Sequence, residues 1–186
     1  MTSLPDRPNT ALLVIDMQRG VVADAHDADR VVATIAALVE RARSTDTPVI
    51  WIQHRSDELP EGSDAWQFVD GLGYGSQEPL VHKCFGDSFE ETDLEEVLAE
   101  QAVGHLVVTG AQTDACVRST LHGGLVRGYD VTLVEDAHTT EDLRKWGAPL
   151  SPQDAIAYTN MYWAWSSAPG RRTAVVPADE VDFAAG

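Results

Sequence analysis

The stretch HLVVTGAQTDACVRST, residues 105–120, decides the fold of this chain. Its first six residues form an apolar run typical of a buried strand. GAQT then predicts a turn. We expect a helix from Asp114 to Arg127, because Gly128 follows as a typical residue at the end of a helix. The stretch therefore predicts a strand–turn–helix unit with Cys116 near the positive end of the helix.

The same alternation continues in both directions. Apolar runs predict further strands over residues 11–17, 49–54, 81–83, 130–137 and 173–177. Helical periodicity predicts helices over 27–44, over 93–103 with Thr92 as the N-cap, and up to Trp165 after Ser151 and Pro152. Residues 55–80 predict a long irregular loop. Strands that alternate with helices favour a Rossmann-like α/β fold of three layers, with a six-stranded parallel sheet flanked by helices. We expect one domain over residues 1–186.

Composition limits the function classes. The 186 residues contain 13 Lys and Arg against 30 Asp and Glu, a formal charge of −17. That charge repels phosphate backbones and anionic membranes, so we expect neither nucleic acid nor membrane as a partner. The first residues show no secretion signal, and no apolar run is long enough to span a bilayer. Cys84 and Cys116 are too few for a disulfide scaffold, which predicts a cytoplasmic protein.

Three reactive side chains fall at or just beyond strand ends, where open α/β sheets bind ligands. Asp16 interrupts an apolar strand, and Lys83 offers it a cationic partner. The helix N-terminus and Lys83 are both expected to lower the pKa of the Cys116 thiol. Taken singly, Cys116 also suits a small buried hydrophobe, Asp16 a structural ion pair and Lys83 a solvated charge. Their coincidence at three strand ends favours catalysis.

The motifs VIDMQ, VIWIQH, HKCFGDSF and TGAQTDACVRST together resemble the isochorismatase-like cysteine hydrolases, nearly from end to end of the chain. The resemblance implies a triad of Asp16, Lys83 and Cys116. Asp16 would take the thiol proton and pass it to the leaving amine, while Lys83 would orient Asp16. The resemblance also implies a cis peptide at Ala111–Gln112, with the amides of Gln112 and Cys116 as the oxyanion hole.

Two departures from family patterns narrow the activity. The nicotinamidase branch places an Asp-x-His pair after the second strand to hold a metal, whereas here that strand ends Gln53-His54-Arg55-Ser56. We therefore expect no metal and no other cofactor. True isochorismatases cleave a vinyl ether without a nucleophilic cysteine. The presence of Cys116 therefore disfavours that reaction for this chain. The resemblance thus implies hydrolysis of a carbon–nitrogen bond in a small non-peptide amide, carbamoyl compound or lactam, through a thioester. Nicotinamidase-type, isochorismatase-type and non-catalytic binding members stay as alternatives.

Other residues have weaker claims. Gln53 and His54 end the second strand near the expected pocket, and Trp66 lies in the long loop, so all three are candidates for substrate contact. We expect Cys84 to be buried and inert, because adjacent strand residues point to opposite faces. The aromatic run Tyr158, Tyr162, Trp163 and Trp165 fits either core or a subunit contact. The family resemblance implies a homo-oligomer, a dimer or a tetramer.

Overall fold

A computed structural model describes residues 2–183 as a six-stranded parallel sheet with helices on both faces. The strands are β1 (Asn9–Ile15), β2 (Val49–His54), β3 (Leu80–Lys83), β4 (Val103–Ala111), β5 (Asp130–Thr139) and β6 (Thr173–Val176). The helices are α1 (Arg19–Val22), α2 (Ala28–Ser44), α3 (Leu94–Glu100), α4 (Arg118–Arg127) and α5 (Pro152–Trp165). The fold class predicted from the sequence is confirmed. None of these helices has the length and apolarity to span a bilayer.

The sheet order is β3-β2-β1-β4-β5-β6, so β1 lies in the middle. The chain adds β2 and β3 on one side of β1 and then crosses to add β4, β5 and β6 on the other side. Every residue of β1 from Ala11 to Ile15 is fully buried. Its side chains alternate between two cores: α3, α4 and α5 pack on one face of the sheet, and α2 packs on the other. Because the strand order reverses beside β1, the crevice beyond β1 and β4 is the expected ligand site.

Gly110 allows the ends of β1 and β4 to meet closely. Its φ is 121°, and a Cβ at this position would lie 2.1 Å from the carbonyl oxygen of Ile15. The next peptide bond, Ala111–Gln112, is cis. The crevice therefore begins where Asp16 leaves β1 and Gln112 leaves β4.

Some predicted boundaries are wrong in informative ways. α3 ends at Glu100 because Ala102 adopts a positive φ of 51° and Val103 already begins β4. The N-cap position of α3 is Asp93, one residue after the predicted Thr92, but the Thr92 hydroxyl still accepts from the Leu94 amide at 3.3 Å while it donates to the Ser88 carbonyl.

The helix predicted from Asp114 begins as a π-helical turn, Thr113–Val117, which continues into α4. In this turn the Gln112 carbonyl accepts from the amides of Ala115 and Val117, the two neighbours of Cys116. Cys84 is exposed rather than buried, with Arg55 Nε 3.4 Å from its sulfur, because it lies just beyond the end of β3.

Candidate active site

Asp16 and Lys83 form a buried ion pair at the carboxyl ends of β1 and β3. Lys83 Nζ lies 2.6 Å from Asp16 Oδ2, and the two side chains are 0% and 1% exposed. Asp16 adopts a φ of 50°, a left-handed conformation that Asp tolerates better than most residues. Lys83 Nζ also donates to the Phe85 carbonyl at 3.1 Å. The Lys83 ammonium thus has two partners, whereas the buried Asp16 Oδ1 has no hydrogen-bond partner among the described residues.

Burial opposes the ammonium form of Lys83, but the interactions with Asp16 and, after it, Cys116 outweigh this effect and raise the Lys83 pKa. The ammonium therefore persists at neutral pH.

Cys116 lies beside this pair, in the π-helical turn. One ligand atom from each of Asp16, His54 and Cys116 lies within 4.8 Å of the others. Burial and the Asp16 carboxylate raise the pKa of the Cys116 thiol, Lys83 opposes the increase, and the net result is a pKa of about 12. The expected lowering of the thiol pKa is therefore not met. Desolvation outweighs the helix terminus, whose neighbouring amides are already bound to Gln112.

These side chains line a cavity of about 250 Å³. Its lining residues are Asp16, Gly20, Val21, Asp24, His54, Gln112, Cys116 and Glu141. A space of this size suits a small molecule rather than a folded partner. At its edge Lys145 Nζ lies 2.7 Å from Glu141, which places a surface ion pair beside the opening.

The three candidates for substrate contact separate in the structure. His54 lines the cavity, whereas Gln53 and Trp66 are not among its lining residues. The Gln53 amide donates to the Trp66 carbonyl at 2.8 Å, and the Trp66 ring stacks on His82 with centroids 5.5 Å apart. Gln53 and Trp66 therefore hold the long loop against the sheet edge.

Gln18 is a site residue that sequence reasoning missed. It is fully buried, and its Nε2 donates to the carbonyls of His54 and Trp66, both at 2.9 Å. Its Oε1 accepts from the His54 amide at 2.8 Å. Gln18 thus fixes the end of β2 from both sides. A polar residue so soon after Asp16 at the end of an apolar strand was the available signal.

A second missed group supports the nucleophile turn from behind. Thr113 Oγ1 lies 2.8 Å from His138 Nδ1, and His138 Nε2 lies 2.9 Å from Asn160 Oδ1. The Asn160 side-chain NH₂ group donates to the Glu135 carbonyl, so Asn160 Oδ1 accepts from His138 Nε2. His138 therefore carries its ring proton on Nε2. Burial lowers the His138 pKa to about 4. We refer to Thr113, His138 and Asn160 as the histidine relay; it joins the π turn to β5 and α5.

Asp16, His54 and Cys116 are also the donor types that bind divalent metals. They do not fit such an ion here, because the buried Lys83 ammonium already contacts two of them. It lies 2.6 Å from the Asp16 carboxylate and 3.3 Å from His54 Nδ1. A divalent cation bound to these donors would face that charge in a dry environment.

Comparison with known proteins identifies the family. The isochorismatase domain model matches residues 10–150. The chain belongs to the isochorismatase family. The streptothricin hydrolase of Streptomyces noursei is 34% identical over 99% of this chain and 75% of its own length. The ureidoacrylate amidohydrolase of Enterobacter sp. strain 638 is 26% identical over 90% of this chain and 92% of its own.

Solved structures of this family share the architecture. An isochorismatase from Pseudomonas putida KT2440 superposes with a TM-score of 0.83 at 26% identity, covering 95% of this chain and 92% of that one. One from Burkholderia xenovorans LB400 gives a TM-score of 0.82 at 26% identity over 94% and 86% of the two chains. The predicted family and the predicted hydrolase class are confirmed.

Proposed function

We propose that this isochorismatase-family hydrolase cleaves a carbon–nitrogen bond of a small non-peptide amide, carbamoyl compound or lactam, through a thioester on Cys116. The observation that carries the proposal is the buried Asp16–Lys83 pair at 2.6 Å beside a cysteine in a small cavity. The names of the streptothricin hydrolase and the ureidoacrylate amidohydrolase support hydrolysis of small substrates.

The proposed first half-reaction begins from a neutral thiol. Asp16 accepts the thiol proton as Sγ attacks the carbonyl carbon, so charge never accumulates on a desolvated sulfur. The same proton passes to the nitrogen as the carbon–nitrogen bond breaks, which releases the amine and leaves the thioester. Lys83 holds the Asp16 side chain in position for both transfers. The raised pKa of Cys116 suits a nucleophile that is activated only during attack.

We assign the oxyanion hole to the amides of Gln112 and Cys116. The Gln112 side chain supports this assignment, because Nε2 donates to the Val21 carbonyl at 2.8 Å and Oε1 accepts from the Glu141 amide at 2.7 Å. These contacts hold the turn rigidly against two segments that line the cavity. One such donor contributes about 3 kcal/mol of transition-state stabilisation in other hydrolases.

Two alternatives within the family have less support. A nicotinamidase-type reaction needs a metal, which the Lys83 ammonium opposes at this donor set. An isochorismatase-type reaction leaves Cys116 without a role. A non-catalytic binding protein has no need for a buried ion pair beside a cysteine, because desolvation of the two charges costs free energy of folding.

A panel of small amides, carbamoyl compounds and lactams tests the proposal through release of ammonia or amine. We expect Cys116→Ala to abolish hydrolysis and Cys84→Ala to retain it, since Cys84 lies outside the cavity. Intact-mass detection of a trapped acyl group on Cys116 would establish the thioester. Hydrolysis by Cys116→Ala at even a tenth of the normal rate would reject it.

Three broader expectations stay predictions. A single domain over residues 1–186 is consistent with a sheet that uses both halves of the chain. A cytoplasmic location rests on the two free cysteines. A homo-oligomer is supported by the exposed aromatic side chains of α5, where Trp165 is 80% exposed.

A further inference from the structure

His54 presents a single, defined hydrogen-bonding atom to the cavity. Its Nδ1 lies 3.3 Å from Lys83 Nζ. An ammonium can only donate, so Nδ1 accepts and the ring proton is on Nε2. Because Lys83 engages Nδ1 and His54 lines the cavity, Nε2–H is the hydrogen-bonding atom that the ring has left for a molecule bound there.

The ring is both neutral and fixed. Burial lowers the pKa of His54, the positive charge of Lys83 lowers it further, and Asp16 opposes the decrease only in part. At neutral pH the ring is therefore a hydrogen-bond donor at Nε2 and has no free lone pair with which to act as a base. Two hydrogen bonds between the Gln18 side chain and the His54 backbone hold His54 in place at the end of β2.

The position of the ring relates it to the reacting atoms rather than to a distant part of the substrate. Atoms of Asp16, His54 and Cys116 lie within 4.8 Å of one another. A water that attacks a thioester on Sγ must touch the carbonyl carbon and the Asp16 carboxylate together. His54 lines the same cavity, so its Nε2–H is the donor available to such a water.

We propose that His54 is a catalytic residue of the second half-reaction, whose Nε2–H donates to the water that attacks the thioester. This inference rests on the proposed function. Asp16 accepts a proton from that water as its oxygen bonds to the carbonyl carbon. The carbon–sulfur bond then breaks, the acid leaves, and Asp16 returns the proton to Sγ. One thioester and one water thus give one carboxylic acid and one thiol.

Two substitutions separate the nitrogens of His54. In His54→Asn the shorter amide takes the place of Nδ1 and still accepts from Lys83, but nothing replaces Nε2. In His54→Gln the longer side chain reaches the place of Nε2 with an amide donor. Both variants are made in a Cys84→Ala background, so that acylation reports Cys116 alone, and circular dichroism with thermal unfolding checks their fold.

The probe is p-nitrophenyl acetate, which acetylates a cysteine and releases nitrophenolate. We expect His54→Asn to keep the rate and the size of the burst, while the steady phase slows by about tenfold, the size expected for loss of one hydrogen bond to the attacking water. The acetyl thioester should then accumulate and be visible by intact mass. His54→Gln should recover most of the lost rate.

The outcomes distinguish the two proposals. A steady phase of normal rate in His54→Asn would overturn the role of His54. Equal slowing of burst and steady phase would also overturn it, since His54 would then act through Lys83. Failure of every protein to form an acetyl thioester on Cys116 would instead reject the proposed function. If His54→Asn does not fold, His54→Ala with added imidazole replaces it, and lack of rescue of the steady phase would count against the inference.

Discussion

At the scale of single residues, the site keeps its nucleophile protonated. Desolvation and the nearby carboxylate both favour the thiol form of Cys116, and only Lys83 opposes them. A sulfur of this kind resists adventitious alkylation and oxidation, because the thiolate is the reactive species. The thiol becomes reactive only when a bound substrate allows Asp16 to accept the thiol proton.

Replacement of Asp16 by Asn should therefore have opposite effects on two measurements. Hydrolysis should fall by several orders of magnitude, since the proton carrier is lost. Alkylation of Cys116 by iodoacetamide near pH 8 should become faster, because Lys83 is left as the uncompensated neighbour and the thiol pKa falls. Reasoning from sequence alone predicts a smaller thiolate fraction in this variant. Slower alkylation in Asp16→Asn would support that view and contradict the structure.

The metal content of the site depends on one side chain. We expect full activity after dialysis against EDTA and less than about one zinc per ten chains, as for a site that is not occupied. Lys83→Met should be inactive and should bind zinc in equilibrium dialysis, because it leaves three donors and an open position. Loss of wild-type activity on chelation, with recovery on addition of metal, would contradict the role assigned to the ammonium.

At the scale of secondary-structure elements, the histidine relay connects the nucleophile turn to a surface helix. His138 is buried in β5, Thr113 begins the π turn and Asn160 belongs to α5. A neutral imidazole is required, since Nδ1 must accept while Nε2 donates. Protonation would place a second donor against the Thr113 hydroxyl, in a site that solvates charge poorly.

The relay predicts a pH dependence of stability. The unfolded chain takes up the His138 proton near pH 6.5, whereas the folded protein takes it up only near pH 4. Stability is therefore lost as the pH falls from about 6.5 to 4, by about 3 kcal/mol from this group. Urea unfolding across this range should show a smaller loss in His138→Gln. His122→Gln should lie closer to the wild type, because the His122 side chain is exposed, although burial of part of the ring and the charge of Arg118 also lower its pKa. Equal pH dependence in all three proteins would exclude His138.

The helices and strands that could be predicted from the sequence are those whose apolar residues form a regular pattern. The six strands and α2 carry long apolar runs or a clear helical face, so their positions are recovered within a few residues. The π turn depends on how the Gln112 carbonyl is shared, which no residue pattern reveals. The neutral thiol likewise depends on packing by β1 and β3, which are far from Cys116 in sequence. The strand ends predicted from the sequence were enough to locate the three reactive residues. The protonation state of the Cys116 thiol could be deduced only from the folded structure.

At the scale of the whole molecule, α5 leaves an apolar surface in contact with solvent. Tyr158, Met161 and Trp165 are 52%, 45% and 80% exposed. Light scattering coupled to gel filtration should give a dimer or tetramer for the wild type. Trp165→Glu should shift it toward the monomer, and Trp146→Glu, which alters an equally exposed indole outside α5, should not. A monomeric wild type would contradict the predicted oligomer.

The central place of β1 has a consequence for synthesis on the ribosome. β1 is the first strand made, yet its partner β4 begins at Val103, opposite Asn9 and roughly ninety residues later. At about 5–20 residues per second, the nascent chain carries one uncovered edge of its most apolar strand for about 5 to 20 seconds. Such an edge invites pairing with other chains. The strand that centres the finished sheet is thus the segment that most needs a chaperone during translation.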